Sequence, residues 1–522
     1  MGVVTGALVR WRLLPGLSLI ETSKLSLTVA LSFFAGLAAV SGLSGLLLTP
    51  RFMPAAFCIG LILLILSFAL LAFLHPRIRI FGRQVTLPSL PALCKITALT
   101  LLDTTAAALA LYVLLPTGLD IGFALLFPVY LAALTAALVT GTPGGVGPYE
   151  LTALGLLPEG AAPEIMAGIL AFRLIYYALP ALIAAWFLYW GEANTTPPVR
   201  SGLEPIRDLP QDISRAELGV CLQNGARLLS AGQTRLAIVS TAQTETAMFD
   251  PIRGAAAAGL PGLLALARRR NKVALIYKTT PRGAATLRRA GMATLHIADE
   301  AVIDPQKFHL QGRKFRQLRR KLRQAGEAGI KVTRAAALPQ AEMARLDAEW
   351  QALNGGARGL SMGQFCPDYL LRHHVYLAWQ NDTLVGFASF HSSHHERCLD
   401  LMRSAAKAPS GCMHMLVTKA LTEARADGLS RVSLAAQPCL TTARATLPRL
   451  IARRISHHSG ATGLAQFKAS FAPRYQPLYA HAKSWPALAL GLADLSRVIN
   501  RPNRSQPHNC HEENEFDSSR HI

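Results

Sequence analysis

The stretch Met53–Leu74, MPAAFCIGLILLILSFALLAFL, runs for 22 residues without a charged side chain. An α-helix needs about 20 apolar residues to cross the roughly 30 Å hydrocarbon core of a bilayer. Comparable apolar stretches lie on both sides of it, at Leu25–Leu48, Ile96–Leu115, Ile121–Thr140 and Pro163–Trp190. The chain is therefore predicted to begin with a multi-pass α-helical membrane domain, residues 1–192, with about six spans or partial spans.

Basic residues near the first two spans predict how this domain is oriented. They precede the first span or follow the second, at Arg10, Arg12, Lys24, Arg77, Arg79, Arg83 and Lys95. Loops rich in Lys and Arg stay on the cytoplasmic side. Five complete crossings would leave the second half of the chain outside. We therefore expect either that the segment 141–160, which Gly and Pro interrupt, crosses partially together with its neighbour, or that the chain has one more span than these five. The globular half is then cytoplasmic.

Within that interrupted segment, residues 142–150 read TPGGVGPYE. The glycines Gly144, Gly145 and Gly147 permit positive φ and close backbone approach. Glu150 would place a carboxylate at membrane depth, where ionisable groups are usually functional. Arg173 is a second charge in this region, and either Glu150 or a lipid phosphate would offset its desolvation. An interfacial turn with a solvated Glu150 is the simpler alternative.

The second half of the chain differs from the first in charge. The net charge of +22 lies mostly after residue 200, which favours an anionic partner, either tRNA or the anionic surface of a bilayer. Prolines in the stretch 193–215 predict a linker. The eight cysteines form no CxxC pair and show no zinc-type spacing, so neither a metal site nor a cofactor is predicted.

Beyond the linker, short apolar segments alternate with helix-like segments, which predicts an α/β fold. The expected strands are Leu236–Val239, Val273–Tyr277, Thr294–His296, His374–Trp379, Leu384–Ser392, Arg397–Met402 and Arg431–Ala435. The expected helices are Ala257–Arg268, Gly283–Ala290, Ala341–Ala352 and Met413–Ala426. Because the alternation occurs twice, we predict two lobes, residues 216–334 and 335–485, followed by a partly disordered tail at 486–522.

A basic segment ends the first predicted lobe. Between Lys307 and Arg334 there are ten cationic side chains and one acid, Glu327. On a helix, the apolar residues Phe315, Leu318 and Leu322 would face the fold, and the basic residues would form an outward stripe. Such a stripe contacts phosphates of tRNA or of lipid headgroups with little sequence specificity. A solvated surface is the alternative. The stripe consists of Arg313, Lys314, Arg316, Arg319, Arg320 and Arg323.

Three runs in the second half carry a family resemblance. They are FHLQGRK at 308–314, LDLMR at 399–403, and GLAQFK at 463–468 followed by FAPRY at 471–475. In this order, behind a membrane region with PGGVG at 143–147, the chain resembles the aminoacyl-phosphatidylglycerol synthases of the lysyl-phosphatidylglycerol synthase type. It differs from them in the run SLAAQP at 433–438 and in a short membrane region.

The resemblance implies two acetyltransferase-like (GNAT-type) lobes behind the membrane helices. It also implies a tRNA-dependent aminoacyltransferase of the bacterial inner membrane, with its catalytic half cytoplasmic and no cofactor. The donor would be aminoacyl-tRNA, and the acceptor would be phosphatidylglycerol or a related anionic lipid. Such a product reduces the negative charge of the envelope and increases resistance to cationic peptides. A homo-oligomer is compatible with this expectation.

Three residues in the resembling runs are candidates for the chemistry. An aminoacyl ester is already activated, so transfer requires positioning, a proton acceptor and stabilisation of the oxyanion. Asp400 is predicted to bind the substrate ammonium or to act as a base, and Arg403 to hold a phosphate or the oxyanion. Lys468 lies between Phe467 and Phe471, a setting expected to lower the pKa of its amine and make it a donor to the oxyanion. The alternatives are an Asp400–Arg403 salt bridge and a surface lysine.

Two other functions are compatible with the sequence. One is acyl transfer to a lipid from a donor other than tRNA, although residues 407–413 contain only one glycine where a coenzyme A loop would be rich in glycine. The other is a lipid transporter or scaffold whose globular half only binds lipid. Histidines at 373, 374, 391, 394 and 395 show no informative spacing and are not predicted to belong to the site.

Overall fold

The computed structural model describes residues 7, 9–10, 18–190 and 203–500, except for 81–82, 117, 159–161, 355, 357–358, 361 and 439–460. The chain divides into two compact units, Met1–Arg200 and Ser201–Ile522. Each unit is described by itself. The end of the predicted tail, residues 501–522, lies outside the described residues.

The first unit is helical, and five of its described helices are long and apolar enough to cross a membrane. They correspond to the five predicted spans. The long stretches are α1 (Leu19–Leu48), α2 (Ala55–Leu74), α3 (Leu90–Leu114), α4 (Phe123–Thr140) and Ala162–Trp186, the last built from α6 (Ala162–Phe172), a π-helical turn (Arg173–Ala178) and the start of α7 (Leu179–Trp190). Between α4 and α6, the short helix α5 (Pro148–Leu156) lies in the segment 141–160. The strands β1 (Arg77–Ile80) and β2 (Arg83–Thr86) form a hairpin between α2 and α3.

Small residues allow α1 and α2 to pack closely. A Cβ atom on Gly45 would overlap the Cys58 sulfur, and one on Gly42 would lie 3.1 Å from the Cys58 carbonyl oxygen. Glycine at such positions lets two helix backbones approach within van der Waals distance, which is the main source of helix association in lipid. At the start of α1, the Ser18 hydroxyl accepts a hydrogen bond from the Glu21 amide, and the Glu21 carboxylate accepts one from the Ser18 amide.

The second unit is built on one twelve-stranded sheet. Its strand order is β3-β4-β5-β6-β7-β14-β8-β13-β12-β11-β10-β9. The strands are β3 (Leu203–Pro205), β4 (Arg227–Ala231), β5 (Thr234–Ser240), β6 (Thr244–Met248), β7 (Val273–Thr279), β8 (Ala293–Ile303), β9 (Lys331–Arg334), β10 (His374–Gln380), β11 (Thr383–Ser392), β12 (Glu396–Ser404), β13 (Arg431–Pro438) and β14 (Arg474–Ala482). The helices are α8 (Val220–Gln223), α9 (Ala256–Arg269), α10 (Pro281–Arg289), α11 (Arg316–Glu327), α12 (Gln340–Asn354), α13 (Pro367–Leu370), α14 (Cys412–Ala426), α15 (Ala461–Ala469) and α16 (Trp485–Ile499).

Each predicted strand and helix of this unit is present, but the boundary near residue 335 is wrong. Strand β9 pairs with β10, and the apolar side of α11 packs in the same core as α14, so both belong to the second lobe. Strand β14 lies between β7 and β8 of the first lobe, although it comes from the end of the chain. The sheet fixes these positions through hydrogen bonds between segments distant in sequence, which local periodicity does not report.

The predicted linker and tail are also partly ordered. Strand β3 pairs with β4, and Arg215, at the end of the predicted linker 193–215, is buried. The predicted tail at 486–522 begins within α16, whose Leu488, Leu492 and Leu495 pack in the core of the first lobe. Burial of these leucines stabilises α16 by roughly 1.5–3 kcal/mol for each side chain. Prolines therefore hid the strand β3, whereas α16 lies in an apolar segment that the predicted tail included.

Candidate active site

Strands β12 and β13 separate from each other part-way along the second lobe. They pair in parallel through Glu396–Cys398 and Arg431–Ser433, and no pairing between them continues beyond those residues in the described structure. On its other edge β13 pairs with β8 from Val432 to Pro438, with a register shift between Ser433 and Ala436. Ala435 lies in that irregularity with φ of +62°, a left-handed conformation. The divergence leaves backbone carbonyl groups of β13 available to other partners.

Lys468, near the end of α15, uses those carbonyl groups. Its Nζ donates hydrogen bonds to the oxygens of Ala435 and Ala436, at 3.0 and 3.1 Å. The side chain is buried, so the alternative of a surface lysine is wrong. Desolvation, and to a smaller degree the charge of Lys278, lower the pKa of Lys468 to about 8. A buried amine with this pKa can exist in either protonation state near neutral pH, as proton-transfer chemistry requires.

Aromatic rings adjoin Lys468. Phe467 and Phe471 lie with ring centroids 5.4 Å apart, and the imidazole of His414 packs against both. Phe471 and Phe467 also pack in the core formed by α11 and α14. These rings pack beside the start of α14, where His414 lies. Lys468 itself is buried, and charged groups act on its amine as well, among them Lys278 and Glu217.

Asp400 lies on β12 and is held by two donors. Its Oδ1 accepts a hydrogen bond from the Gly363 amide at 2.9 Å, and its Oδ2 accepts one from the Tyr369 hydroxyl at 2.9 Å. A Cβ atom at residue 363 would overlap the carboxylate, so only glycine permits this approach. The side chain of Asp400 is 5% exposed. With both oxygens engaged in a buried position, Asp400 is poorly placed to act as a general base.

Two histidines that the sequence did not single out contact Asp400. The Nε2 atoms of His373 and His391 each lie 3.6 Å from Asp400 Oδ2. They reach it from the residue preceding β10 and from the end of β11. Burial lowers the pKa of both imidazoles, and the neighbouring imidazole lowers that of His373 further. The 18 positions between them in sequence do not predict this contact, because antiparallel strands bring the two histidines together.

Arg403 is engaged by partners other than Asp400. Its Nε donates to Asp347 Oδ1 at 2.5 Å, and its guanidinium lies 3.8 Å from the centroid of the Trp350 ring. Both partners lie on α12, so Arg403 fixes that helix to β12. The predicted salt bridge with Asp400 is replaced by this pair. A buried guanidinium with a carboxylate and an aromatic partner positions β12 and is not directed at a substrate phosphate.

The predicted basic stripe is present on α11 and the turn before it. Phe315 and Leu318 are buried and Leu322 is partly buried, as the periodicity predicted. All six predicted cations are exposed, namely Arg313, Lys314, Arg316, Arg319, Arg320 and Arg323. Arg319 donates to the carbonyl oxygens of Leu310 and Gly312 and so holds the preceding loop. The other five are exposed as well, although Lys314 lies over the Phe315 ring and Arg323 pairs with Glu327.

A group of buried charges joins the two lobes near the middle of the sheet. Glu300 on β8 accepts hydrogen bonds from Arg215, Arg431 and Ser433. Arg431 also contacts Glu396 at 2.6 Å, so that strands β8, β13 and β12 share one ionic network. Loss of one member would leave a charge buried without a partner, which typically destabilises a protein by about 3–5 kcal/mol.

Residues 209–482, more than half of the chain, match the family model described as "Phosphatidylglycerol lysyltransferase, C-terminal". The chain belongs to this family. The family match covers the α/β unit with Asp400, Arg403 and Lys468, and it excludes the membrane helices. The family resemblance read from the motifs is therefore confirmed.

Similar proteins extend this result. A lysylphosphatidylglycerol biosynthesis bifunctional protein LysX from Nocardia farcinica is 29% identical over 235 residues, 42% of this chain and 18% of the relative. An uncharacterised Synechocystis protein, slr0712, is 32% identical over 163 residues, 29% of this chain and 50% of that protein. This phosphatidylglycerol lysyltransferase family member therefore matches at most half the length of either relative.

A solved structure shows the fold of the α/β unit. It is the C-terminal domain (DUF2156) of an Agrobacterium fabrum protein assigned as a lysylphosphatidylglycerol synthetase. The likeness has a TM-score of 0.50 at 21% identity, and it covers 56% of this chain and 95% of that one. The predicted fold class, membrane-type helices followed by acetyltransferase-like lobes, is confirmed for this phosphatidylglycerol lysyltransferase family member.

The Pro-Gly-Gly segment at residues 143–150 lies outside the family match, and hydrogen bonds and an ion pair hold it in place. Arg173 forms an ion pair with Glu150 at 2.6 Å and donates to the carbonyl oxygens of Gly144 and Gly145. Gly144, Gly145 and Gly147 all have positive φ. Glu150 also accepts a hydrogen bond from the Gly147 amide. Of the two predicted partners for Arg173, the structure therefore shows Glu150, and the pair closes the glycine turn.

Proposed function

We propose that this protein transfers a lysyl or similar aminoacyl group from aminoacyl-tRNA to phosphatidylglycerol or a related lipid. The observation that carries the proposal is the buried Lys468 amine, held at the divergence of β12 and β13 in a member of this family. In acetyltransferase-like folds, strand divergence opens the sheet to a substrate. Lys468 supplies a proton donor there without a metal or redox group.

The reaction needs one bond formed and one broken. The hydroxyl oxygen of the lipid glycerol attacks the ester carbonyl, and the terminal ribose oxygen of the tRNA leaves. The proton lost by the glycerol hydroxyl ends on that ribose oxygen, so atoms and charge balance. The protonated Lys468 amine donates a hydrogen bond to the tetrahedral oxyanion, a contribution worth about 2.7–4 kcal/mol in other enzymes. Asp400 and Arg403 act as positioning residues that fix β12.

The exposed cations of α11 are proposed to bind phosphates of the tRNA acceptor end. They form a surface with a single local acid, Glu327, whose carboxylate lies 3.6 Å from Arg323. Phosphate contacts of this kind position a nucleic acid and carry no sequence information. Lipid headgroups would use the same chemistry. Salt-dependent binding of tRNA in the absence of lipid would show that the α11 cations bind tRNA phosphates and not only lipid phosphates.

A specific contact disfavours coenzyme A as the donor. In this fold, a coenzyme A pyrophosphate would bind at the start of the helix that follows β12, here α14. The backbone of α11 lies directly against that position, because a Cβ atom on Gly411 would overlap the Lys321 carbonyl oxygen. The Lys321 ammonium also donates to the Ser410 hydroxyl at 2.7 Å. The chain's own basic helix therefore occupies the approach to the amides of α14.

The proposal includes a location. The five apolar helices favour insertion in the bacterial inner membrane, and the basic residues before α1 and after α2 favour a cytoplasmic α/β unit. Transfer of a lysyl group would change the charge of a phosphatidylglycerol headgroup from −1 to about +1, since lysine adds two ammonium groups. Envelopes with such lipids would bind cationic peptides less strongly.

The test compares the full chain with Lys468→Met, which removes the amine and preserves the side-chain volume. Lipids from expressing cells are separated by thin-layer chromatography and stained with ninhydrin. Membranes are also incubated with radiolabelled lysyl-tRNA, with and without ribonuclease. We expect a new amino-containing lipid that requires intact tRNA and is absent with the variant. Arg345→Met, on α12 away from the divergence, is the control.

Three results would argue against the proposal. A new lipid that forms equally well after ribonuclease treatment would assign another donor. A lipid that Lys468→Met still produces at full yield would remove Lys468 from the mechanism. Expression at normal levels without any new lipid would favour a transporter or scaffold, and Glu150→Gln would then be the informative variant.

A further inference from the structure

Three side chains meet in a buried position of the second lobe. The ligand atoms of His373, His391 and Asp400 all lie within 4.8 Å of one another. The His373 and Asp400 side chains are 1% and 5% exposed, so bulk water does not separate them. Three neutral or anionic acceptors at this spacing repel one another unless a proton or a cation lies between them.

Hydrogen bonding fixes the orientation of His373. Its Nδ1 lies 2.8 Å from the Tyr369 carbonyl oxygen, which can only accept, so Nδ1 carries the proton. In the neutral imidazole, Nε2 then presents a lone pair toward Asp400. This Nε2 is buried and has no hydrogen-bond partner among the residues that the structure describes. Metal-binding histidines characteristically donate the other ring N–H to a backbone carbonyl in this way.

The separations of the acceptors discriminate between two kinds of cation. Ligand atoms about 2.1 Å from a tetrahedral Zn²⁺ ion lie about 3.4 Å from one another. Acceptors about 2.8 Å from an ammonium nitrogen lie about 4.6 Å from one another. Both histidine nitrogens are 3.6 Å from Asp400 Oδ2. These two separations are close to those around a metal ion and shorter than those around an ammonium nitrogen.

The surroundings hold the three side chains in place. Asp400 Oδ1 is fixed by the Gly363 amide. The His391 ring packs so closely on Gly219 that a Cβ atom there would overlap Nδ1. The Tyr369 hydroxyl donates to Asp400 Oδ2 at 2.9 Å and lies 3.1 Å from His391 Nε2.

We propose that His373, His391 and Asp400 bind one divalent transition-metal ion of the Zn²⁺ class. Two imidazoles and a carboxylate are a common ligand set for that ion, and a fourth position remains for water or for Tyr369. The ion would connect the start of β10, the end of β11 and the middle of β12. The inference is independent of the transfer reaction, because it concerns metal content.

The experiment uses the full chain purified in detergent without chelators. Its zinc content is measured by mass spectrometry, and chelator-treated protein is titrated with Co²⁺, whose visible spectrum reports tetrahedral coordination. We expect about one ion per chain and a tetrahedral Co²⁺ spectrum. His373→Gln and His391→Gln should each lower the Co²⁺ affinity by at least about 10-fold. Tyr369→Phe and the exposed His395→Gln should retain the ion.

Several outcomes would overturn the assignment. One is wild-type protein that contains no metal and gives no tetrahedral Co²⁺ spectrum. Another is full metal content in His373→Gln and His391→Gln that elute as folded protein on size exclusion. A third is lysinamide binding by metal-free protein that His373→Gln abolishes, since this would assign the site to a substrate ammonium. The Co²⁺ spectrum is measured on wild-type protein, so it tests the proposal even if a variant fails to fold.

Discussion

At the scale of single residues, the environment of Lys468 links burial to chemistry. Two carbonyl oxygens of β13 accept its hydrogen bonds, while burial lowers its pKa to about 8. A fully exposed lysine would remain protonated throughout the neutral range and would be hydrated. In the proposed mechanism, the desolvated amine is a stronger donor because few water molecules compete for the oxyanion.

The pKa of Lys468 predicts a pH dependence of transfer. The protonated amine is the proposed donor, so the initial rate should fall as the pH rises through about 8. Rates with lysyl-tRNA between pH 6.5 and 9.5 test this, after subtraction of spontaneous ester hydrolysis. Lys468→Arg, which stays charged, should lose the alkaline decrease wherever it retains activity.

Stability changes in the opposite direction over the same range, which separates chemistry from unfolding. The pKa of Lys468 is lower in the folded protein than the ordinary value of 10.5. Burial of its charge therefore destabilises the fold below about pH 8, and this effect disappears as the pH rises toward the unfolded pKa. A rate that rises through pH 8, or one that falls together with the melting temperature, would contradict the assigned role.

The sequence indicated the setting of Lys468, but it did not indicate the partners of Asp400 and Arg403. Phe467 and Phe471 lie within three residues of Lys468 in the sequence, and their side chains already indicated an apolar setting. His373 and His391 gave no such signal, since strands β10 and β11 and a change of register bring them to Asp400. The partner of Arg403 was equally hidden, because Asp347 lies 56 residues away on another element.

At the scale of elements, α11 combines two functions in one helix. Its apolar side completes the core of the second lobe, and its backbone covers the start of α14. Its opposite side presents arginines to solvent. The period of 3.6 residues made this helix predictable, whereas its contact with α14 depends on the fold of the whole lobe.

Removal of charge from α11 should weaken tRNA binding without unfolding the lobe. We expect Arg316→Gln, Arg320→Gln and Arg323→Gln together to lower tRNA affinity and to reduce the dependence of log K on log salt by up to about 0.7–0.9 for each lost phosphate contact. Filter binding over a range of salt concentrations measures this. Arg268→Gln, Arg269→Gln and Arg289→Gln on α9 and α10 form the matched control. An unchanged salt slope in the α11 variant would exclude the helix from the interface.

The contact between α11 and α14 predicts that replacement of Gly411 destabilises the protein. Gly411 has φ of +99° and lies against the Lys321 backbone, so Gly411→Ala combines backbone strain with overpacking. We expect this change to reduce the free energy of unfolding by about 1–3 kcal/mol more than Gly428→Ala does. Gly428 has φ of +72° but open space at the Cβ position. Equal melting temperatures for the two variants would show that α11 can move away from α14.

At the scale of the whole molecule, the α/β unit consists of two lobes that share one sheet. Strand β14 forms nine residue pairs with β8 and also pairs with β7, and the ionic network around Glu300 connects β8 with β13. The last strand and helix of the described residues thus complete the first lobe. Composition and periodicity predicted two α/β repeats, but such patterns describe short windows and contain no information on which strand ends up beside which.

This topology makes the C-terminal segment essential for the first lobe. A chain that ends at residue 470 would lack β14 and α16, leaving β7 and β8 without their common neighbour and exposing the core around Leu275. We therefore expect limited proteolysis to cleave the region 203–303 rapidly in this truncation, although most strands of that region are still present. A chain that ends at residue 500 keeps every described element and should resist the protease as the full chain does. If the shorter chain retained a resistant fragment containing residues 203–303, the first lobe would fold independently of β14, and the shared sheet would join two separately stable lobes.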